Sequence, residues 1–249
     1  MPLRIGYVRE HFSSPLLQFA EADEGRTIAL VECPSGTGQL ISRLTKDEID
    51  VAMQLCDHTT QLGRISRLGS GSQTMAYVMG FQQGWPSESM NFQVNNDIRG
   101  LIDSVNDHST AAFMWEWFTT KPWLDSGEVR FIGSVPTPWP SWLVAAQPSV
   151  NTEALKQFLT TLSSYVRSFD SAESRATKNV NFIKSRFGYG EEDIEAWMKT
   201  VGYPQDCLTI PKDVLMNTLS VLENAGVVKS PEGGFTVERF IDPKVVKLA

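Results

Sequence analysis

The chain has 249 residues, of which 41% are hydrophobic, and its 22 basic and 29 acidic side chains give a net charge of −7. This length suffices for one large domain or two small lobes around real cores. The acidic balance, with no basic run longer than a dipeptide, argues against nucleic acid or an anionic membrane as the main partner. An anionic small molecule needs only local donors and is not excluded.

The start of the chain, from Met1 to Val8, leads directly into a β-prone stretch, and the sequence shows no signal segment and no membrane-spanning apolar run. Its three cysteines, Cys33, Cys56 and Cys207, are scattered and form no CxxC motif. Scattered cysteines of odd number are typical of a reducing compartment. We therefore expect a cytoplasmic protein.

The first third of the chain alternates strands with helices, and the middle repeats the plan. The predicted strands are Leu3–Val8, Thr27–Glu32, Asp50–Leu55, Gly63–Ser66, Phe92–Val94 and Ala111–Met114. The predicted helices start at Ser13-Ser14-Pro15 and at Gln73, or span Gln39–Leu44, Asp97–Val105, Glu153–Ser168, Ala172–Arg186, Glu191–Val201 and Pro211–Ala225. This alternation predicts an α/β fold with a mainly parallel sheet and a helical C-terminal region.

Three predicted strand-to-helix turns are rich in Ser, Thr and Gly: Ser13-Ser14, Ser35-Gly36-Thr37-Gly38 and Ser70-Gly71-Ser72-Gln73. In parallel sheets such turns lie at the carboxyl edge of the strands, where ligands bind. Helix N-termini there present free N–H groups and a partial positive charge of about 0.5 e, which suits an anion. N-capping explains any one of these turns equally well. The three together favour a ligand site.

The sequence contains none of the common nucleotide, hydrolase or metal motifs. The dinucleotide fingerprint fails because Thr74 stands where Gly or Ala is needed, and neither GK[ST] nor GxSxG is present. The histidines, His11, His58 and His108, lack metal-ligand spacing. We therefore predict no cofactor, no metal and no catalytic residue.

The tryptophans allow two interpretations. Of the seven, all except Trp85 fall between Trp115 and Trp197. One interpretation places them in the core; the other places them along a cleft, where they stack on a flat ligand. Trp139 and Trp142 lie among prolines and fit both interpretations. Glu116 lies between two tryptophans at a predicted strand end. It is either a functional carboxylate or a surface carboxylate beside a half-buried strand.

Several segments carry a resemblance to a known family. RIGYVREHFSSPLLQFAEAD, VECPSGTGQLISRL, ISRLGSGSQTMAYVMGFQQGW, AAFMWEWFTTKPWLDSGEVRFIG and TPWPSW resemble a fungal group of intracellular proteins with the type II periplasmic-binding-protein fold. That group is similar to bacterial sulfonate, taurine and thiamine-precursor binding proteins. The resemblance covers nearly the whole chain. It implies one lobe of residues 1–62 and 143–249, a second lobe of residues 63–142, and a ligand in the cleft between them.

The resemblance also implies a site. The Ser70–Gln73 turn would clamp an anion from the second lobe, faced by His11, Phe12 and the Ser35–Thr37 turn. The predicted ligand-binding residues are His11, Phe12, Ser35, Gly36, Thr37, Asp57, Ser70, Gly71, Ser72, Gln73, Trp115, Glu116, Trp139 and Trp142.

The chain departs from the family at one place. Only Cys56–Leu62 separates the predicted strands Asp50–Leu55 and Gly63–Ser66, whereas a parallel crossover takes about a dozen residues. In the resembling family this gap holds a helix and a strand that crosses the hinge. We expect the shortened chain to bind more weakly, or to be less stable, than a relative with that segment.

The predicted function is that of an intracellular solute-binding-like protein for a small anionic or heteroaromatic ligand. One alternative is an enzyme that makes the thiamine pyrimidine precursor, although the Cys-rich motif of that family and a lysine poised for pyridoxal phosphate are absent. The other alternative is an interaction protein that keeps the fold without a ligand.

Overall fold

The computed structural model describes residues 1–55, 71–95, 97–140 and 142–249. The predicted strand Gly63–Ser66 and the short connection Cys56–Leu62 lie outside the described residues. No helix in the described ranges is both long and apolar enough to cross a membrane.

The main sheet has four strands in the described ranges, in the order β2-β1-β3-β4. They are β1 (Leu3–Tyr7), β2 (Ile28–Glu32), β3 (Val51–Leu55) and β4 (Trp142–Ala146). The first three run parallel, with Ile5 opposite Leu30 on one side and opposite Val51 on the other, whereas β4 is antiparallel to β3. The mainly parallel α/β sheet predicted from the sequence is therefore confirmed.

Helices follow most strands and dominate the C-terminal half. They are α1 (Ser14–Asp23), α2 (Thr37–Thr45), α3 (Gly71–Gln83), α4 (Ile98–Asn106), α5 (Trp117–Asp125), α6 (Thr152–Asp170), α7 (Asn179–Phe187), α8 (Glu191–Thr200) and α9 (Lys212–Asn224). Two short parallel strands, β5 (Thr209–Ile210) and β6 (Lys247–Leu248), form a second sheet near the C-terminus.

The largest core lies between the main sheet, α1 and α6. Pro15 sits in the first turn of α1, where its missing N–H costs nothing, and Leu16 and Leu17 point inward from that helix. From α6, Phe158 and Leu162 pack against the same cluster. The N-terminal strands and the helical C-terminal region therefore share one core.

Two further clusters connect distant parts of the chain. The first packs α3, through Met75 and Met79, against Trp139 and Ala225, the residue that follows α9. The second joins Phe12, before α1, to the C-terminal helices; its other buried members are Phe169, Val180, Ile183, Ile194, Trp197 and Met198. The C-terminal region thus contacts both the main sheet and the α3 region.

Several elements differ from the sequence predictions. The predicted strands Phe92–Val94 and Ala111–Met114 appear only as single bridges at Val94 and Phe113. Conversely, the sequence predicted neither α5, which begins directly after Glu116, nor β4.

The predicted helix Ala172–Arg186 is also interrupted, because a π-helical turn at Ser174–Lys178 precedes α7. Arg175, in this turn, donates to the main-chain carbonyls of Met198 and Val201. Those bonds tie the turn to the end of α8.

Strand β4 lies at the edge of the described sheet. Leu143 is 49% exposed and Val144 38% exposed. Because successive side chains of a strand point to opposite faces, both faces of β4 are partly uncovered.

We expect Gly6→Ala to lower the free energy of unfolding by about 1–3 kcal/mol, the usual cost of an overpacked core. A Cβ at Gly6 would lie 2.4 Å from Cδ1 of Ile49 and 2.8 Å from Cδ2 of Leu40, and both of those side chains are fully buried. Gly202→Ala is the matched control, because its Cβ would have no neighbour within 4 Å. Urea unfolding of both variants measures the difference, and equal midpoints would contradict the prediction.

Candidate functional site

The first of the three predicted turns is buried, and its serine hydroxyls donate hydrogen bonds to nearby backbone carbonyl groups. After β1 the chain makes a 3-10 turn over His11–Ser13 and enters α1. The hydroxyl of Ser13 donates to the carbonyl of Val8 (2.8 Å), and that of Ser14 donates to the carbonyl of His11 (2.6 Å). The two serines therefore fix the turn, in which His11 and Phe12 are buried at the carboxyl end of β1.

The second turn is more open. Gly36 precedes α2 with φ 73°, a left-handed value that favours glycine. The N–H of Ser35 donates to Oε1 of Gln39 (2.9 Å), so one donor of this helix start is already used. Ser35 is exposed, and Gly36 and Thr37 are half-buried.

The third turn is described only in part. Asp57 and Ser70 lie outside the described residues. Gly71 begins α3, followed by a buried Ser72 and a half-buried Gln73. The first turn of this helix therefore has the small residues that let a ligand approach the backbone N–H groups.

Glu116 is the N-cap of α5, and the strand end predicted at this position is wrong. Its Oε2 accepts hydrogen bonds from the N–H of Thr119 (2.7 Å) and from the Thr119 hydroxyl (2.9 Å). The residue is 3% exposed. Burial raises the pKa of this carboxyl, and the bonds from Thr119 oppose the rise. Glu116 is thus a buried carboxyl, so the alternative of a surface carboxylate is also wrong.

The structure brings His11 to this carboxyl. Nε2 of His11 lies 4.0 Å from Oε1 of Glu116, and both side chains are almost fully buried. Neither ring nitrogen of His11 has a hydrogen-bond partner within the described residues. Burial lowers the pKa of the imidazole to about 3, so the ring is neutral at pH 7 and the contact is not an ion pair.

Aromatic rings surround the imidazole on its other sides. The ring centroid of His11 lies 4.4 Å from Phe12, 4.7 Å from Trp197 and 5.2 Å from Tyr189. Sequence reasoning did not select Tyr189 or Trp197, because nothing in the local pattern of α8 or of the segment before it marks a contact with residue 11.

Helix α5 is also held against α8 by charge. Nζ of Lys121 lies 2.6 Å from Oδ2 of Asp125, on its own helix, and 3.4 Å from Oδ1 of Asp193, on α8. All three side chains are partly exposed. The packing of α5 against α8, which brings Glu116 to His11, therefore includes an ion pair that is partly exposed to solvent.

The predicted tryptophans lie in different environments. Trp139 is 7% exposed and packs in the core with α3, which is the core alternative of the two interpretations. Trp115 lines a cavity of about 660 Å³ between the end of α4 and the segments on either side of α5. Trp142 begins β4. No group of three or more metal-ligating side chains occurs among the described residues.

Comparisons with known proteins identify the fold. The model of the Ca3427-like PBP family matches residues 43–135. The structure of the Candida albicans CA3427 gene product, described as defining a new family with the generic periplasmic binding protein fold, is 26% identical, with a TM-score of 0.82 over 99% of this chain and 96% of that chain. A search of curated proteins finds no match.

Two bacterial sulfonate-binding proteins are similar in structure. SsuA of Xanthomonas axonopodis pv. citri, an alkanesulfonate-binding protein solved with MOPS, is 12% identical, with a TM-score of 0.69 over 100% of this chain and 98% of that chain. SsuA of Escherichia coli, which binds aliphatic sulphonates, is 15% identical, with a TM-score of 0.59 over 89% of this chain and 85% of that chain. These findings confirm the resemblance predicted from the sequence: the chain has the α/β periplasmic-binding-protein fold and is similar to the Ca3427-like proteins.

Proposed function

We propose that the chain is an intracellular solute-binding protein that holds a small anionic or heteroaromatic molecule between two lobes, residues 1–62 with 143–249 and residues 63–142. The observation that carries the proposal is the meeting of His11, from the first lobe, with Glu116, from the second. A buried neutral imidazole and a buried carboxyl lie side by side there, and neither ring nitrogen has a described partner.

Unsatisfied buried polar groups are rare in proteins, since each costs about 1–3 kcal/mol. A ligand that hydrogen-bonds the imidazole recovers part of this cost when it binds. Such a ligand carries a donor or acceptor for His11 and an N–H or O–H group for Glu116, as a nitrogen heterocycle does. We expect its anionic end to lie at the start of α3, near Ser72 and Gln73, because a helix N-terminus favours an anion.

Entry requires α5 to separate from the turn that carries His11. The polar contacts described between α5 and α8, whose Trp197 contacts His11, include the partly exposed pair Lys121–Asp193, and such pairs contribute little to stability. The separation therefore costs mainly the apolar contacts of Phe118, which packs against the cluster around Trp197. A ligand that bridges both sides restores those contacts in the closed form.

We expect a ligand of this class to raise the stability of the chain. At ~100 times its dissociation constant it adds 2.7 kcal/mol to the free energy of unfolding. Thermal unfolding with MOPS, other sulfonates, phosphates and aminopyrimidines measures this shift. Ser72→Ala combined with Gln73→Ala, and separately Glu116→Gln, should abolish it.

The matched control is Gln82→Ala combined with Ser87→Ala, at and beyond the other end of α3, where both side chains are exposed. It should keep the full shift. A cooperative transition that none of these compounds moves would contradict the proposal, as would a shift that survives both test variants.

A further inference from the structure

We propose that the 660 Å³ cavity beside α5 is a second binding site, specific for a small aromatic molecule that bears an anionic group. Neither His11 nor Glu116 lines this cavity. Its volume falls within the range of about 300–1,000 Å³ that is usual for small-molecule sites. It is therefore large enough for one ligand, and of the described residues that the sequence predicted to bind the ligand, Trp115 alone lines it.

The walls of the cavity are rich in aromatic rings. Phe113, Trp115, Trp117 and Phe131 all line it. The rings of Trp117 and Phe131 meet edge to face, with centroids 4.6 Å apart and planes inclined at 62°. Phe131 is nevertheless 51% exposed. A flat ligand that stacks here covers apolar surface now in contact with water, which gives a favourable free energy of binding.

The lining of the cavity carries one positive charge that no acidic group among the described residues balances. Its titratable residues are His108, Glu128 and Arg130. Glu128 accepts hydrogen bonds from Arg99 (2.7 Å) and from the hydroxyl of Ser126 (3.2 Å), so its charge is compensated. Arg130 has no ion pair with any described residue. An anionic substituent on the ligand is the group that complements this guanidinium.

The cavity also contains an unsatisfied hydroxyl. Oγ1 of Thr110 is buried and has no hydrogen-bond partner among the described residues. Thr110 lines the cavity, but this hydroxyl is out of contact with solvent, so a ligand completes its bonding only after the side chain turns towards the cavity. Aromatic rings, a guanidinium without an ionic partner among the described residues, and this hydroxyl therefore belong to residues that line one cavity.

The test uses 2-naphthalenesulfonate, which combines the two required groups, with 2-naphthol and methanesulfonate as probes of each group alone. Calorimetric titration of the purified chain should give saturable binding of the naphthalenesulfonate, about tenfold or more tighter than binding of either partial probe. Arg130→Gln and Phe131→Ala should each weaken it by about tenfold. Both residues are exposed, so the variants should fold, and their melting temperatures check this.

The controls separate this site from the one between the lobes. Arg239→Gln, a change at another exposed arginine, should bind the naphthalenesulfonate like the unmodified chain. The Ser72→Ala, Gln73→Ala double variant should keep the part of the binding that depends on Arg130 and Phe131. Absence of saturable binding would overturn the second site. Binding that depends on Ser72 and Gln73 but not on Arg130 and Phe131 would also overturn it, and would instead support the proposed function. Binding that depends on Arg130 and Phe131 but not on Ser72 and Gln73 establishes the cavity site, whatever the result for the site between the lobes.

Discussion

Acidification from pH 7 to pH 3 should remove about 4–5 kcal/mol of folding free energy through His11 alone. Burial lowers the pKa of this imidazole from 6.5 to about 3. The unfolded chain therefore takes up a proton near pH 6.5, whereas the folded chain resists protonation until about pH 3. The stability due to the neutral ring is present above pH 6.5 and falls by about 1.4 kcal/mol per pH unit below it.

The measurement is urea unfolding of the natural chain and of His11→Phe between pH 7 and pH 4. Phenylalanine suits the surrounding rings and does not titrate, so the difference between the two stabilities should grow steadily as the pH falls. If the stabilities of the natural chain and of His11→Phe fell in parallel with pH, the lowered pKa of His11 would be contradicted. Glu116 acts in the opposite direction, because its pKa is raised by burial. The stability that Glu116 contributes is full below pH 4.5 and is lost as the pH rises through its raised pKa. Adding Glu116→Gln both to the natural chain and to His11→Phe therefore leaves a pH dependence that His11 alone causes.

Phe169→Ala should lower the free energy of unfolding by about 3–5 kcal/mol, as the loss of a fully buried aromatic ring does. Phe169 is 0% exposed, and its ring lies 5.5 Å from that of Tyr203 and 6.4 Å from that of Trp197. The change leaves a cavity beneath the rings that surround His11. Binding at the site between the lobes should therefore weaken as well, since those rings fix the position of the imidazole.

The control for this prediction is Phe81→Ala. Phe81 lies on α3 and is 52% exposed, so its removal should change the stability by no more than about 0.5 kcal/mol. Chemical unfolding of both variants at pH 7 gives the comparison. Similar midpoints for Phe169→Ala and the unmodified chain would show that the buried cluster does not contribute as its packing indicates.

The parts of the fold that could be predicted are those with local signals. Strand β2 is an apolar run closed by Pro34 and Gly36, and α1 begins at a Ser-Ser-Pro sequence with Pro15 in its first turn. In α3, Met75 and Met79 are four residues apart, the spacing of one helical face, and both are buried. In these segments the conformational preferences of the residues, the Pro and Gly residues at the ends and the pattern of burial all favour the same element.

Helix α5 could not be predicted because its local signals conflict. Glutamate is not among the preferred N-cap residues, the sequence after it is aromatic, and Pro122 lies inside the helix. The helix is stabilised instead by contacts that are distant in sequence, such as that of Phe118 with the cluster around Trp197.

The candidate site was only partly predictable for the same reason. His11 and Glu116 were both selected, but their proximity depends on how α5 packs against the turn before α1. The ring contacts of His11 with Tyr189 and Trp197 join residues far apart in the chain. Likewise, Arg130 and Thr110 carry no local motif, and only the cavity makes them conspicuous.

Strand β4, one of the two edges of the described sheet, has a consequence for the binding measurements. Within the described sheet β4 pairs on one side only, and its sequence, WLVAA, contains neither the charge nor the proline that blocks association between sheet edges. If two chains pair through this strand, their self-association competes with, or mimics, a response to added ligand. Affinities and melting temperatures should therefore be recorded at several protein concentrations, so that a change caused by a solute is separated from one caused by dimers.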